Sequence, residues 1–172
     1  VNGCSLPQPL DPASFPFLRR LFFGALPNHS IQSILPLLPQ IIYLEMKSSS
    51  SSEYIDLILP LSTSLTSISL SYLNFHQLDD GNHDIIKERL ESIRVVLGGY
   101  TAPMSKLTEC IASSKVLKKV ILSGLMSTIP SSGQASRITE LKKVVEACKK
   151  KKSVELWKEN FIVNGKVDLN PE

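Results

Sequence analysis

Two short stretches carry residue types that do chemistry. Asp80, Asn82, Asp84, Glu88 and Glu91 stand at positions one, three, five, nine and twelve of a calcium-loop spacing. Oxygen donors at that spacing wrap a hard cation only if the sixth position turns sharply, which takes a Gly. Ile85 stands there instead. The stretch therefore reads as a polar loop whose Asn82 or Asp84 caps the next helix. His76, Asp79, Asp80 and His83 offer imidazole and carboxylate ligands. No Cys stands near them, and the tight paired spacing of a structural zinc site is missing. No metal and no cofactor is expected.

The nucleophiles point the same way. Cys110 and Cys148 precede apolar cores by similar distances, and a free Cys is commonly a small buried hydrophobe. No nucleophile–base pair with a recognisable signature accompanies them, so the chain is not expected to be an enzyme. Lys142, Lys143 and Lys149 to Lys152 form a basic cluster. It reads as a solvated helix face with cations placed well at a helix C-terminus, with a nuclear-import or polyanion role as the alternative. Asn28-His29-Ser30 is a glycosylation sequon, and Ser30 is equally a helix N-cap before Ile31. The serine run Ser48 to Ser52 is read as a flexible loop, open to phosphorylation.

Composition bounds the class. The chain has 172 residues, 42% hydrophobic and 20% charged, so it has one domain's length and is too apolar to be disordered throughout. Leu and Ile supply 40 residues against 6% aromatics, which makes an aliphatic core. A net charge of +3 does not demand nucleic acid, and none is expected as partner. The most apolar stretch, Ile31 to Met46, is broken by Pro36, Pro39 and Gln40, so no membrane span is expected. Three cysteines are too few and odd for a disulfide scaffold, which points to a reducing, cytoplasmic or nuclear compartment. The chain starts at Val1 rather than Met, which leaves a removed signal peptide open.

Self-similarity is the strongest signal. Cores with apolar residues at positions one, four and usually six start at Leu18, Ile41, Leu65, Ile93, Leu117 and Val154, separated by 23, 24, 28, 24 and 37 residues. Most of these fall in or near the period of a strand-plus-helix repeat. Helix-like segments lie between them: Ser30 to Leu35, Tyr54 to Leu59, Asp84 to Leu90, Lys106 to Ile111 and Ile138 to Lys149. In the last, Ile138, Leu141, Val144, Val145 and Cys148 make one apolar stripe. A helical crossover is what parallel strands require. The fold class expected is α/β: a leucine-rich-repeat solenoid, a horseshoe arc of about six parallel strands on the concave side with helices on the convex side.

One strand-helix unit cannot bury its apolar face alone, and stacking makes the core continuous. Positions four and six of each core point inward, three and five outward. The outward set is Arg20/Phe22, Tyr43/Glu45, Ser67/Ser69, Val95/Leu97, Lys119/Ile121 and Leu156/Lys158. From it, Arg20, Phe22, Tyr43, Glu45, Ser67, Ser69, Lys119 and Lys158 are the candidate partner-binding residues. A one-residue slip would invert any member. Residues 1–17 form a Pro-rich segment or cap and 18–160 the repeats. Leu125 to Ser136, rich in Ser, Gly and Pro, reads as a loop that lengthens the last unit. Residues 161–172 read as a hairpin-like cap around Asn164-Gly165. Trp157 reads as a plug of the final repeat.

At these residues the chain resembles leucine-rich-repeat proteins of the ribonuclease-inhibitor-like type. Its tail, Val154-Glu-Leu-Trp157-Lys-Glu-Asn-Phe161 followed by Asn164-Gly165-Lys166-Val167, resembles the end of fungal F-box/leucine-rich-repeat proteins. Two departures stand out: no Asn follows the strand cores, with Ser71, Gly99 and Ser123 near that place, and no F-box is present. The resemblance implies a protein-recognition module, the substrate-recognition repeats of an F-box-type ubiquitin-ligase receptor. A non-ligase repeat scaffold or a secreted recognition protein is the alternative. The partner implied is a protein of unknown identity, and the chain is expected to be monomeric.

Overall fold

The computed structural model describes residues 9–24, 31–46, 52–97, 103–124 and 131–159. It is α/β. Six strands, β1 (Arg20–Phe23), β2 (Tyr43–Met46), β3 (Ser67–Ser71), β4 (Ser92–Val96), β5 (Lys119–Ser123) and β6 (Glu155–Glu159), form one sheet in sequential order. Every neighbouring pair is parallel. The crossovers hold α1 (Ile31–Ile34) continued by a 3-10 helix at Leu35–Gln40, then α2 (Ser52–Leu61), α3 (Tyr72–Gln77), α4 (Asp80–Arg89), α5 (Ser105–Ser113) and α6 (Ser131–Lys150).

The register explains the core. Leu21, Leu44, Ile68, Ile93, Val120 and Leu156 align across the sheet in one row, and Phe23, Met46, Leu70, Val95 and Leu122 in a second. Leu44, Ile68, Ile93 and Val120 are sealed from solvent, while Leu21 and Leu156, at the two ends of the row, are only partly buried. Each fully buried aliphatic side chain contributes roughly 1.5–3 kcal/mol. Leu38, Ile58, Phe75, Ile86, Leu107 and Leu141 bring the helix side of the same core.

One backbone device repeats at each step. The Arg19 carbonyl accepts from both Ile42 and Tyr43 N–H, that of Ile42 from Thr66 and Ser67, that of Thr66 from Glu91 and Ser92, and that of Glu91 from Lys118 and Lys119. At β6 only Glu155 N–H reaches back, to Lys118. Cations stitch the helices in a similar stepwise way. Arg89 at the end of α4 donates to the carbonyls of Leu59 and Ser62 at the end of α2 (3.3 and 3.0 Å). Lys151, just past α6, donates to the carbonyl of Ile111 near the end of α5 (2.9 Å). Both fill helix C-terminal acceptors that have no partner within their own helix.

Several sequence expectations are corrected. The fourth repeat is phased from Leu90, not Ile93: Ser92 and Arg94 align with Ser67 and Ser69, whereas Val95 and Leu97 are buried. Ile93, Val95 and Leu97 alternate as any strand does, so the local pattern fits two phases. The sixth is phased from Ser153: Glu155 and Trp157 align with Lys119 and Ile121, and Leu156 faces the inward row. Lys158 pairs with Leu122 and thus stands on the buried row's register, not on the outward one. The N-cap of α4 is Asp79, whose carboxylate accepts from Asn82 N–H at 2.6 Å, rather than Asn82 or Asp84. Helix α6 already begins at Ser131, inside the stretch read as a loop, and α3 was not anticipated. The sequon, the cap around Asn164-Gly165, and Ser48 to Ser51 of the serine run lie outside the described residues.

Gly124 follows β5 with φ of +132°, and a Cβ there would stand 2.4 Å from the Leu97 carbonyl oxygen. Gly124→Ala is expected to destabilise by about 1–3 kcal/mol from backbone strain alone, with the clash added. Gly81→Ala on α4, where a Cβ meets nothing closer than 3.6 Å, is expected to be neutral or stabilising by about 1 kcal/mol. Urea midpoints of the two variants check both.

Candidate binding face

The helices cover one side of the sheet, and the other side is open among the described residues. Three rows line it. The first runs Arg20, Tyr43, Ser67, Ser92, Lys119, Glu155; the second Phe22, Glu45, Ser69, Arg94, Ile121, Trp157. A shorter third row contains Ser71, Val96 and Ser123. Rows form because parallel strands in register set equivalent residues about 4.8 Å apart.

Each end of this face carries an aromatic cluster. At the β1–β2 end, the Phe22 and Tyr43 ring centroids are 5.6 Å apart and the Arg20 guanidinium carbon is 5.9 Å from the Tyr43 ring centre. The Tyr43 hydroxyl donates to Glu45 Oε2 at 3.0 Å. Partial burial first, then this bond and the Glu45 charge, hold the Tyr43 hydroxyl above its ordinary pKa. At the β5–β6 end, the Lys119 ammonium lies 3.7 Å from the Trp157 ring centre, and Trp157 Nε1–H donates to Glu155 Oε2 at 3.1 Å. In both clusters the carboxylate is two residues from the aromatic on one strand. Period-two alternation places such pairs on the same face.

Between the ends the floor is small and polar. Ser67, Ser69 and Ser92 occupy the middle strands, with Arg94 beside them. Ser69 and Ser123 are almost fully buried although they stand on the open rows, while Phe22 and Trp157 remain 56% and 49% exposed. The middle is thus recessed between aromatic ends. A depression of about 240 Å³ there is lined by Glu45, Met46, Ser69, Ser71 and Val96.

Of the residues expected to bind a partner, Arg20, Phe22, Tyr43, Glu45, Ser67, Ser69 and Lys119 stand on these rows, and Lys158 does not. Sequence reasoning missed Ser92, Arg94, Glu155 and Trp157. Ser92 aligns with Ser67, but a further step of 23 or 24 residues from Ser67 stops short of it, at Leu90 or Glu91, so the repeat length alone does not find it.

The other chemistry-bearing residues sit on the helix side. The calcium-pattern residues Asp80, Asn82, Asp84 and Glu88 lie on α4, so they cannot wrap one ion as a loop does. Among the described residues, no group of three or more His, Cys, Asp or Glu is arranged to hold a metal. His83 is buried edge-on against Phe75 with centroids 5.2 Å apart, and its Nε2 has no hydrogen-bond partner among the described residues. Burial foremost, then the charges of Lys106 and Lys87, hold its pKa below the ordinary value. Burial pushes the Cys110 thiol to about 12 and the Cys148 thiol to about 11. No helix among the described residues is long and apolar enough to cross a membrane.

Comparison with protein-family models, with curated proteins and with solved structures finds no match to the chain. What it resembles therefore rests on its own residues and their register.

Two expectations follow. The buried imidazole binds its proton less readily folded than unfolded, so stability is fully present above about pH 6.5 and declines below it. Urea midpoints at pH 7.5 and 5 are expected to diverge less in His83→Gln than in the wild type. At pH 8, Cys110 and Cys148 are expected to resist iodoacetamide in native buffer and to react in urea, as read by peptide mass spectrometry.

Proposed function

We propose that the open face of the sheet recognises a partner protein, and that the chain is a leucine-rich-repeat arc that binds rather than catalyses. The observation that carries this is the pair of pinned aromatic clusters, Arg20–Phe22–Tyr43–Glu45 and Lys119–Glu155–Trp157. They stand four strands apart from Tyr43 to Trp157, roughly 19 Å at 4.8 Å per strand. Tyr43 and Trp157 each already have a cation near the ring face and a carboxylate on the polar hydrogen. Ordering such a side chain on binding therefore costs little entropy, and exposed aromatic area is what interfaces use as anchors. The recessed serine floor gives a partner segment room between the anchors.

Within that reading, the resemblance of the repeats and tail favours substrate recognition for an F-box-type ubiquitin-ligase receptor, acting in the cytoplasm or nucleus. The F-box would belong to the full-length gene product.

Affinity capture with the wild type and with Tyr43→Ala/Trp157→Ala tests the face. Each anchor is expected to contribute about 2 kcal/mol or more, so the double variant should lose the proteins the wild type retains. An unchanged captured set would sink the reading. If the full-length gene product co-purifies without an F-box adaptor, the ligase part fails and the binding face stands.

A further inference from the structure

The helix side carries a second surface, separate from the open sheet face. In α6 the apolar stripe Leu141, Val144, Val145 and Cys148 turns into the core. That leaves Lys142, Lys143, Glu146, Lys149 and Lys150 on the outside. Six lysines and one glutamate lie between residues 142 and 152. Against α5 this face forms a groove of about 510 Å³ lined by Thr108, Ala112, Lys143, Glu146, Ala147, Lys150 and Lys151. The small side chains of Ala112 and Ala147 keep the space between the helices open.

Two of the cations are fixed in place. Lys143 Nζ lies 2.6 Å from Glu140 Oε1, and Glu140 Oε2 accepts from Met104 N–H at 2.8 Å, which ties α6 to the start of α5. Lys151 Nζ is held by the neutral carbonyls of Ile111 and Ala112, at 2.9 and 3.5 Å. Among the described residues, no carboxylate pairs with it. An ammonium has three donors, so both lysines keep hydrogen-bonding capacity toward the groove. Lys150 adds a third positive charge on the rim.

We propose that this α5–α6 groove binds an acidic segment of a partner protein. Carboxylates of the segment meet Lys143, Lys150 and Lys151, and its small side chains rest on Ala112 and Ala147. Charge complementarity selects the anion, and two features favour a peptide over nucleic acid. The cations are lysine point charges rather than arginine forks shaped for phosphate. Glu146 inside the groove repels a continuous phosphate backbone, whereas a peptide can place an uncharged or donor residue beside it.

The test is fluorescence anisotropy at low salt with a fluorescein-labelled peptide of about twelve residues, glutamates alternating with alanines, long enough to lie along a helix groove. Binding is expected, weakening as salt rises. Lys143→Gln/Lys150→Gln should weaken it at least tenfold. Ala112→Trp fills the groove without changing charge, and should weaken it at least fivefold. Glu146→Gln should tighten it two- to fivefold, a gain that misfolding cannot produce. Circular dichroism confirms that each variant is folded. The proposal is overturned if the peptide does not bind, or if Ala112→Trp binds as the wild type does, since the lysines then act only as a charged patch. It is equally overturned if a short DNA duplex of matched charge binds as tightly with the same response to Ala112→Trp.

Discussion

Everything in this molecule depends on aliphatic side chains stacking in register across six parallel strands. A lone strand of four or five residues with a short helix has no interior. Only the neighbour's row closes it, so Leu44 requires Ile68, and Ile68 requires Ile93. The hydrophobic term drives the stacking, while register comes from the backbone. The carbonyls of Arg19, Ile42, Thr66 and Glu91 each take two N–H groups from the following unit, fixing where each strand begins relative to the last.

That regular stacking has a consequence for the polar groups. Repeated helices leave repeated C-terminal carbonyls, and these lie part-buried between neighbours. Arg89 and Lys151 reach back from the next unit to satisfy them. Ser114 does a related task, its hydroxyl donating to the Lys87 carbonyl at 2.6 Å while accepting from Leu117 N–H at 3.1 Å. These contacts are local to each pair of units, so cohesion is spread along the sheet instead of concentrated in one central cluster.

The same register that builds the core builds the open face. Once inward positions are fixed, the alternating positions must line up on the other side, and residues far apart in sequence become a surface. Tyr43 and Trp157 are separated by more than a hundred residues in the chain and by four strands in space. Their carboxylates, Glu45 and Glu155, are set by the strands' own period of two. The helix side is built differently. There charge follows the helical period of α6, and the groove with α5 exists because Ala112 and Ala147 are small.

Much of this was legible from the sequence. The recurring aliphatic cores, the intervening helices and the parallel α/β class follow from periodicity, because strand and helix have distinct repeats and short crossovers force parallel order. Seven of the eight expected face residues stand on the open rows for that reason. The stretch around Asp80, read as a polar loop before a helix, is itself helix α4, capped by Asp79. What the sequence left undetermined was phase. Ile93-Arg94-Val95-Val96-Leu97 can be read from either of two starts, and Val154-Glu155-Leu156 can be shifted by one, since alternation alone does not say which parity is buried. Pairing with β3 and β5 chose Arg94 and Trp157 for the surface and placed Lys158 on the inward row's register. The α5–α6 groove was equally invisible, because it is made by two helices whose approach depends on side-chain size across the contact. Local composition fixes which elements form; only the packed neighbours decide which of their sides meets water.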